Sequence, residues 1–309
     1  SMTELPHTPE ICSHFGVWHP AAGGTCPKAR VSQMFDTLNH VTLEALIAPK
    51  GLGEREAAAL HFASLQPDDL VLIDRGYPAF WLLVLILSQG AHFCVRFSLS
   101  GWRVVEDFLA SGRTEQTVTL EPSAEARQEC AERGLATTPL TIRLLRIELG
   151  AGAVEVLGTS LLAQQDYPSA LFKELYHERW PVEEDYKAMK LRVEVENWSG
   201  KSVLAIYQDF HAKVMTKNLT AILAHPMQAV LAQARQEKQY LYRTNMAQAL
   251  SKMKDTVVLF FHRANPLPLL NGLWRLMLQT IEPVRPGRSS PREKRVKRRR
   301  FMMNYKPLR

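Results

Sequence analysis

Cysteine is scarce in this chain of 309 residues: there are four, at positions 12, 26, 94 and 130, and no two form a Cys-x-x-Cys pair. That excludes a disulfide-stapled secreted scaffold and points to reduced thiols in a reducing compartment. Cys12, His14, His19 and Cys26 are the nearest approach to a metal-ligand group, but their irregular spacing makes loop residues the simpler reading. Long apolar runs are missing as well. The longest, Ala79 to Leu87, falls far short of the roughly 20 residues a membrane-spanning helix needs. No signal-peptide pattern opens the chain, so a cytoplasmic protein without a membrane partner is expected. Internal repeats and low-complexity segments are absent outside the C-terminal stretch. What is present is 46% hydrophobic residues, enough for one substantial core plus appendages.

Charge is unevenly spread. From Arg285 to Arg309, 11 Lys or Arg residues face one acid, Glu293, a balance of +10; because the whole chain carries +7, residues 1–284 sum to −3. The basicity therefore belongs to the tail. A run such as Lys294-Arg-Val-Lys-Arg-Arg-Arg300 suits a polyanion-binding arm, with Arg295, Lys297, Arg298, Arg299 and Arg300 as its densest part. Such an arm binds phosphates without reading bases.

Two segments carry candidate chemistry. The first is Leu70-Val-Leu-Ile-Asp74 followed by Arg75-Gly-Tyr77. An apolar run of strand length ends in an acid and a glycine turn. Pro78 then suits the first turn of a helix through Leu87, and a second strand pattern runs from Ala91 to Phe97. This reads as a βαβ unit with an acid at the carboxyl end of its first strand, where open α/β sheets place their sites. Asp74 merely capping its turn is the alternative.

The second segment runs from Leu175 to Lys190. Tyr176, Arg179, Glu183 and Lys190 are separated by two, three and six residues. At about 100° per residue they share an arc of about 60° if the segment is one helix. That face would join a carboxylate able to hold a divalent metal to two cations and a phenol able to grip a phosphate. A solvated face with ion pairs, such as Glu183 with Lys187, is the plainer reading. Pro181 removes one backbone bond within this helix, which is expected to kink there or, if it breaks, to leave the shared face only approximate.

The four-residue spacing is similar to the Tyr-Arg-Glu-Lys signature of insertion-sequence transposases of the DDE superfamily, whose helix contributes the third catalytic acid. The Asp74 strand resembles the family's second acidic strand. Val156-Leu-Gly-Thr-Ser-Leu-Leu162 resembles the strand before the Glu helix, and Arg285-Pro-Gly-Arg288 with Asn304-Tyr-Lys-Pro-Leu-Arg309 the family's C-terminus. The resemblance implies an α/β fold: a ribonuclease-H-like catalytic core with an inserted β-rich subdomain and a helical C-terminal part. Residues 1–97 would be the first part of the core and 98–165 the insertion. Residues 166–284 would complete the core and its C-terminal helices, and 285–309 would be the basic tail.

It also implies metal-dependent phosphodiester hydrolysis and strand transfer at transposon ends, the chemistry of cut-and-paste transposition. Asp74 and Glu183 would hold Mg²⁺ or Mn²⁺, with two ions once a first Asp is present. Tyr176, Arg179 and Lys190 would contact double-stranded DNA within a homodimeric paired-end complex in the bacterial cytoplasm, nucleoid-associated when bound.

One element departs from that pattern. In relatives an Asp-Gly-Ser-like strand end precedes a Leu-Pro and a Thr-Pro-Glu. Leu5-Pro6 and Thr8-Pro9-Glu10 match that context, which puts the first Asp two residues before Ser1. Asp36, in the second strand, and Glu4, in a loop, do not match. The chain is read as lacking its extreme N-terminal part and as inactive in cutting as it stands. A non-catalytic DNA-binding derivative is the alternative.

The remaining pattern predicts an irregular entry over residues 1–30, a hairpin over 29–47 and a helix over 54–65. Strands are expected at Trp102–Leu109, Glu115–Leu120, Leu140–Leu149 and Val154–Leu161. Helices are expected at Val203–Leu223, Met227–Tyr242, Met246–Arg263 and Leu269–Ile281. Trp102 and Trp198 read as packing residues, and Lys213, Lys217 and Asn218 as a solvated helix face or a DNA contact.

Overall fold

A computed structural model describes residues 1–19, 25–150, 152–233 and 240–284. The basic tail, with Arg295, Lys297, Arg298, Arg299 and Arg300, lies outside the described residues. The N-terminal region is more regular than its Pro and Gly content predicts. It holds β1 (Met2–Glu4), α1 (Pro9–Phe15) and β2 (Val17–Trp18). Thr8 starts α1 by accepting a hydrogen bond from the Ile11 N–H, with Pro9 in the first turn. Glu4, expected in a loop, lies on β1 opposite Lys28. The expected hairpin is β3 (Cys26–Asp36) with β4 (Val41–Pro49), its register shifting between Met34 and Phe35.

Next come α2 (Glu54–Phe62) and β5 (Leu70–Ile73), which stops immediately before Asp74, then α3 (Phe80–Ser88) and β6 (His92–Phe97). Pro78 stands just outside α3, whose N-cap is Ala79. Segment 103–110 corrects an expectation: it is a helix, α4 (Arg103–Ala110), rather than a strand. Val105 and Phe108 are buried while Arg103, Glu106 and Asp107 are exposed, a spacing of three and four rather than two. The adjacent valines, favoured in strands, suggest otherwise.

β7 (Glu115–Leu120), α5 (Ala124–Glu132), β8 (Leu140–Gly150) and β9 (Ala153–Thr159) follow. After a 3₁₀ turn at Ser169–Leu171 come α6 (Phe172–His177) and α7 (Trp180–Leu191). The chain continues with α8 (Val203–Gln233), β10 (Leu241–Thr244), α9 (Met246–His262), α10 (Leu267–Gln279) and β11 (Ile281–Val284). Two separate helices are predicted over 203–242, but α8 runs unbroken through Pro226. The proline forfeits one backbone bond, while Ala224 and Met227 on either side of it are buried against α9 and α10, which outweighs that loss.

The chain divides into two compact units: Ser1–Leu52 with the described residues from Val182 onward, and Gly53–Pro181. In the first, β1, β3, β2 and β4 form an antiparallel sheet. Its core joins Leu5, Phe15, Val31 and Ile47 to Met189, Trp198, Ile206 and Phe210. Trp198, 2% exposed, packs as expected and donates from its indole to the Glu4 carbonyl. A second cluster, with Met253, Leu273 and Met277, ties α8, α9 and α10 together, and β10 pairs with β11.

The second unit is one five-stranded sheet in the order β5-β6-β9-β8-β7. β5 and β6 are parallel and joined through α3, as the βαβ reading predicts; every other pairing is antiparallel. α3 is apolar on all sides and accordingly buried. The strands of 98–165 therefore extend the sheet that carries Asp74. Gly158 permits the β6–β9 pairing, because a Cβ there would come within 2.2 Å of the Phe97 ring.

Candidate active site

Asp74 follows the last residue of β5, and its carbonyl accepts the Tyr77 N–H to close the turn. Its side chain is 35% exposed. Oδ1 accepts the Arg75 N–H at 2.6 Å and Arg96 Nη2 at 2.5 Å, while Arg179 Nη1 stands 4.0 Å from Oδ2. Burial would raise the pKa of this carboxyl, but the Arg75 N–H and the charges of Arg179 and Arg96 more than offset it, so Asp74 is held below the usual carboxylate range. Arg96, on β6, donates its other arm to Glu155 Oε1 on β9 at 2.6 Å. One guanidinium thus bridges two acids on neighbouring elements. Burial disfavours its charge, but the bond to Glu155 and the nearby Asp74 more than compensate, and its pKa rises.

Tyr176 and Arg179 complete this group. The Tyr176 hydroxyl, in a residue 7% exposed, donates to the Ile73 carbonyl at 3.2 Å. Burial pushes the phenol's pKa up, so it stays neutral. The Arg179 guanidinium lies 5.6 Å from the Tyr176 ring centre. Asp74, Tyr176 and Arg179, far apart in sequence, are therefore neighbours.

The expectation of a single helical face across all four signature residues is corrected. α6 ends at His177 and α7 begins at Trp180, with Glu178 and Arg179 in the turn between. Pro181, in the first turn of α7, has no N–H to give the His177 carbonyl, so the helical ladder is interrupted there and two helices result. Tyr176 thus lies on α6 and Arg179 in the turn. Glu183 and Lys190 lie on α7, seven residues apart and so still on one face. The Lys190 ammonium donates to the Met2 carbonyl on β1 at 2.9 Å.

Asp185, two residues past Glu183, belongs to a different kind of group. Lys217 Nζ sits 2.5 and 2.6 Å from its two oxygens and 2.5 Å from Thr42 Oγ1, and Gln33 Nε2 donates to Oδ2 at 2.8 Å. The side chains of Lys217 and Asp185 are 4% and 9% exposed. Asn218 pairs with the backbone of Thr42 in both directions, at 2.9 and 2.7 Å. Lys213, 6% exposed, donates to Val195 O, Asn197 O and Asp209. Lys213 and Lys217 are thus bound inside the protein, contrary to the solvated face or DNA contact expected of them, while Asn218 is half-buried. Lys217 lies seven residues beyond the buried Phe210, so helical spacing could have revealed it.

Residues 3–219 match the family model described as a Transposase DDE domain. The chain belongs to the DDE transposase family. It is also similar to the transposase InsG of insertion sequence element IS4 from Escherichia coli (strain K12), with 25% identity over 186 residues, 60% of this chain. The match spans 41% of InsG's length.

In a DDE transposase, acids that hold a divalent ion must offer oxygen atoms, and Asp74 does so in ionised form. Its Oδ2 keeps Arg179 beyond hydrogen-bond range, which leaves that oxygen suited to a hard cation. Among the described residues, no group of three or more His, Cys, Asp or Glu side chains is gathered as a ready metal cluster. Cys26 is buried and Cys12 partly so, both as free thiols. Arg96 and Glu155 were missed in the sequence. Their only signal there is a charge inside an apolar strand, at Cys94-Val-Arg-Phe97 and Val154-Glu-Val156.

Proposed function

We propose that this chain is the catalytic domain of an insertion-sequence DNA transposase that cuts and joins phosphodiesters at transposon ends, with Asp74 and Glu183 as metal-holding acids. The observation that carries it is the Asp74 group: an ionised acid at the carboxyl end of a parallel strand, flanked by Arg96, Arg179 and Tyr176, in a chain of the DDE family. The antiparallel β1–β3–β4 arrangement and the parallel β5–β6 pair support a ribonuclease-H-like core, with 98–165 as an insertion continuous with its sheet. Asp74 and Glu183 supply hard oxygen donors for Mg²⁺ or Mn²⁺. Held by these acids, such ions would supply activation of the attacking oxygen and stabilisation of the leaving one.

Arg179 presents a planar fork that suits phosphate oxygens, and Arg96 holds Asp74 ionised until a stronger cation competes. Tyr176 orients Arg179 through its ring and fixes the end of β5 through its hydroxyl. Lys190 would have to exchange the Met2 carbonyl for a DNA phosphate. The basic tail would bind target and end DNA non-specifically, and a homodimer would pair two ends in the cytoplasm of a bacterium. A second reading, a non-catalytic DNA-binding derivative, is favoured by the two arginines that already neutralise Asp74.

The test is Mg²⁺- or Mn²⁺-dependent cleavage of DNA bearing terminal inverted repeats, by the chain extended with an Asp-Gly strand end and by its Glu183→Ala variant. Cleavage by the parent, its loss in the variant and equal DNA retention by both are expected. Retention without cleavage in the parent would favour the second reading. Equal cutting of DNA without such ends would indicate a general nuclease.

A further inference from the structure

Helix α7 carries both Glu183 and Asp185, and two residues along a helix turn the side chain by about 200°. The inward direction is set by Met189, 4% exposed within the core, and by Asp185 four residues before it. The Asp185 carboxylate is held at both oxygens by Lys217 of α8, and Lys217 is held in turn by Thr42 of β4. Gln33 of β3 adds a bond to Oδ2. Asn218, next to Lys217, occupies both backbone groups of Thr42, which lies on β4, paired with β3. Four elements of the first unit therefore meet at one ammonium and one carboxylate.

Packing alone does not require such a pair. Buried ion pairs can often be replaced by apolar residues without loss of stability, because desolvation offsets their attraction. Directional bonds add to the apolar seating of Met189 a finer setting of the rotation of α7 about its axis.

Resting on the metal-site reading above, we propose that Asp185 is a positioning residue. Clamped by Lys217, Thr42 and Gln33, it fixes the rotation of α7 so that Glu183, on the opposite side of the helix, is presented for a divalent cation before any cation arrives. Lys217 acts with it, through Asp185 and not on the cation.

The test uses the full chain with Mn²⁺ as the probe. Affinity is measured by titration calorimetry, and Fe²⁺-dependent backbone scission maps where the ion sits. Wild type is expected to bind Mn²⁺ and to be cut near both Asp74 and Glu183, with Glu183→Gln weakening binding. Asp185→Asn should raise the Mn²⁺ Kd by about 10-fold, the lower end of what outer partners of metal ligands contribute. It should also remove scission near Glu183 while sparing that near Asp74.

Because Asp185→Asn alone can unfold the chain, Asp185→Leu with Lys217→Met is the decisive variant. It should melt near the wild-type temperature yet keep the raised Kd and the lost scission. Wild-type melting with wild-type Mn²⁺ affinity and scission in that double variant would overturn the proposal and leave the metal reading intact. Wild-type Mn²⁺ binding that Glu183→Gln does not change would overturn the metal reading itself, and the positioning role with it.

Discussion

Asp74 and Asp185 both sit among cations, in different units of the chain, and they differ in solvent access and in how fully their partners are committed. Asp185 is 9% exposed, and its Lys217 partner has its ammonium committed to the carboxylate and to Thr42. Burial pushes the Lys217 pKa down, against the pull of Asp185. Asp74 is 35% exposed, shares Arg96 with Glu155 and keeps one oxygen beyond bonding distance of Arg179. The same charges serve architecture in the first case. In the second they surround a carboxylate that solvent still reaches. Solvent access and the 4.0 Å separation of Arg179 from Oδ2, rather than the presence of an acid beside a base, distinguish Asp74 from Asp185.

Breaking the buried pair should have the largest effect. Lys217→Met strands a buried carboxylate and is expected to cost about 3–5 kcal/mol in urea unfolding. Adding Asp185→Leu should recover most of that loss, and a double variant as unstable as the single would show that the pair is not the source. A smaller effect is expected from Tyr176→Phe, which removes the hydroxyl bond to Ile73. About 0.5–1.5 kcal/mol of stability should go, with the fold intact. A drop in DNA affinity beyond that of a distant control of equal stability would show that the phenol also meets DNA.

The smallest effect concerns acid. Because the folded pKa of Asp74 is depressed, its contribution is present above the unfolded value near pH 4 and is lost as pH falls through the folded one. Asp74→Asn should therefore flatten the fall in melting temperature below about pH 4, by less than about 1 kcal/mol given its exposure. An unchanged slope would mean that the arginines do not hold this carboxyl in solution.

Much of the local structure was readable in advance. The Leu70–Ile73 strand, the hairpin before it and α9 follow from short-range apolar period and turn residues, and Asp74 stood out by its place at a strand end. Expectations failed where a local signal was ambiguous or a distant contact decided. Val104 and Val105 suggest a strand, yet Phe108 packs as part of a helix. Pro226 suggests a break, yet the burial of its neighbours keeps α8 whole. At Pro181 a kink or a break was open, and the break occurs, dividing the signature residues between α6, a turn and α7.

By itself, the order of residues determined which acids are available, the family to which the chain belongs and the ends of most strands, because backbone preference and apolar spacing act over a few residues. Only tertiary structure decided which cation faces which acid. Arg96 reaches Asp74 and Glu155 through strand register, and Lys217 reaches Asp185 through the packing of α8 on the sheet. Such partnerships span tens of residues, and no local pattern encodes them.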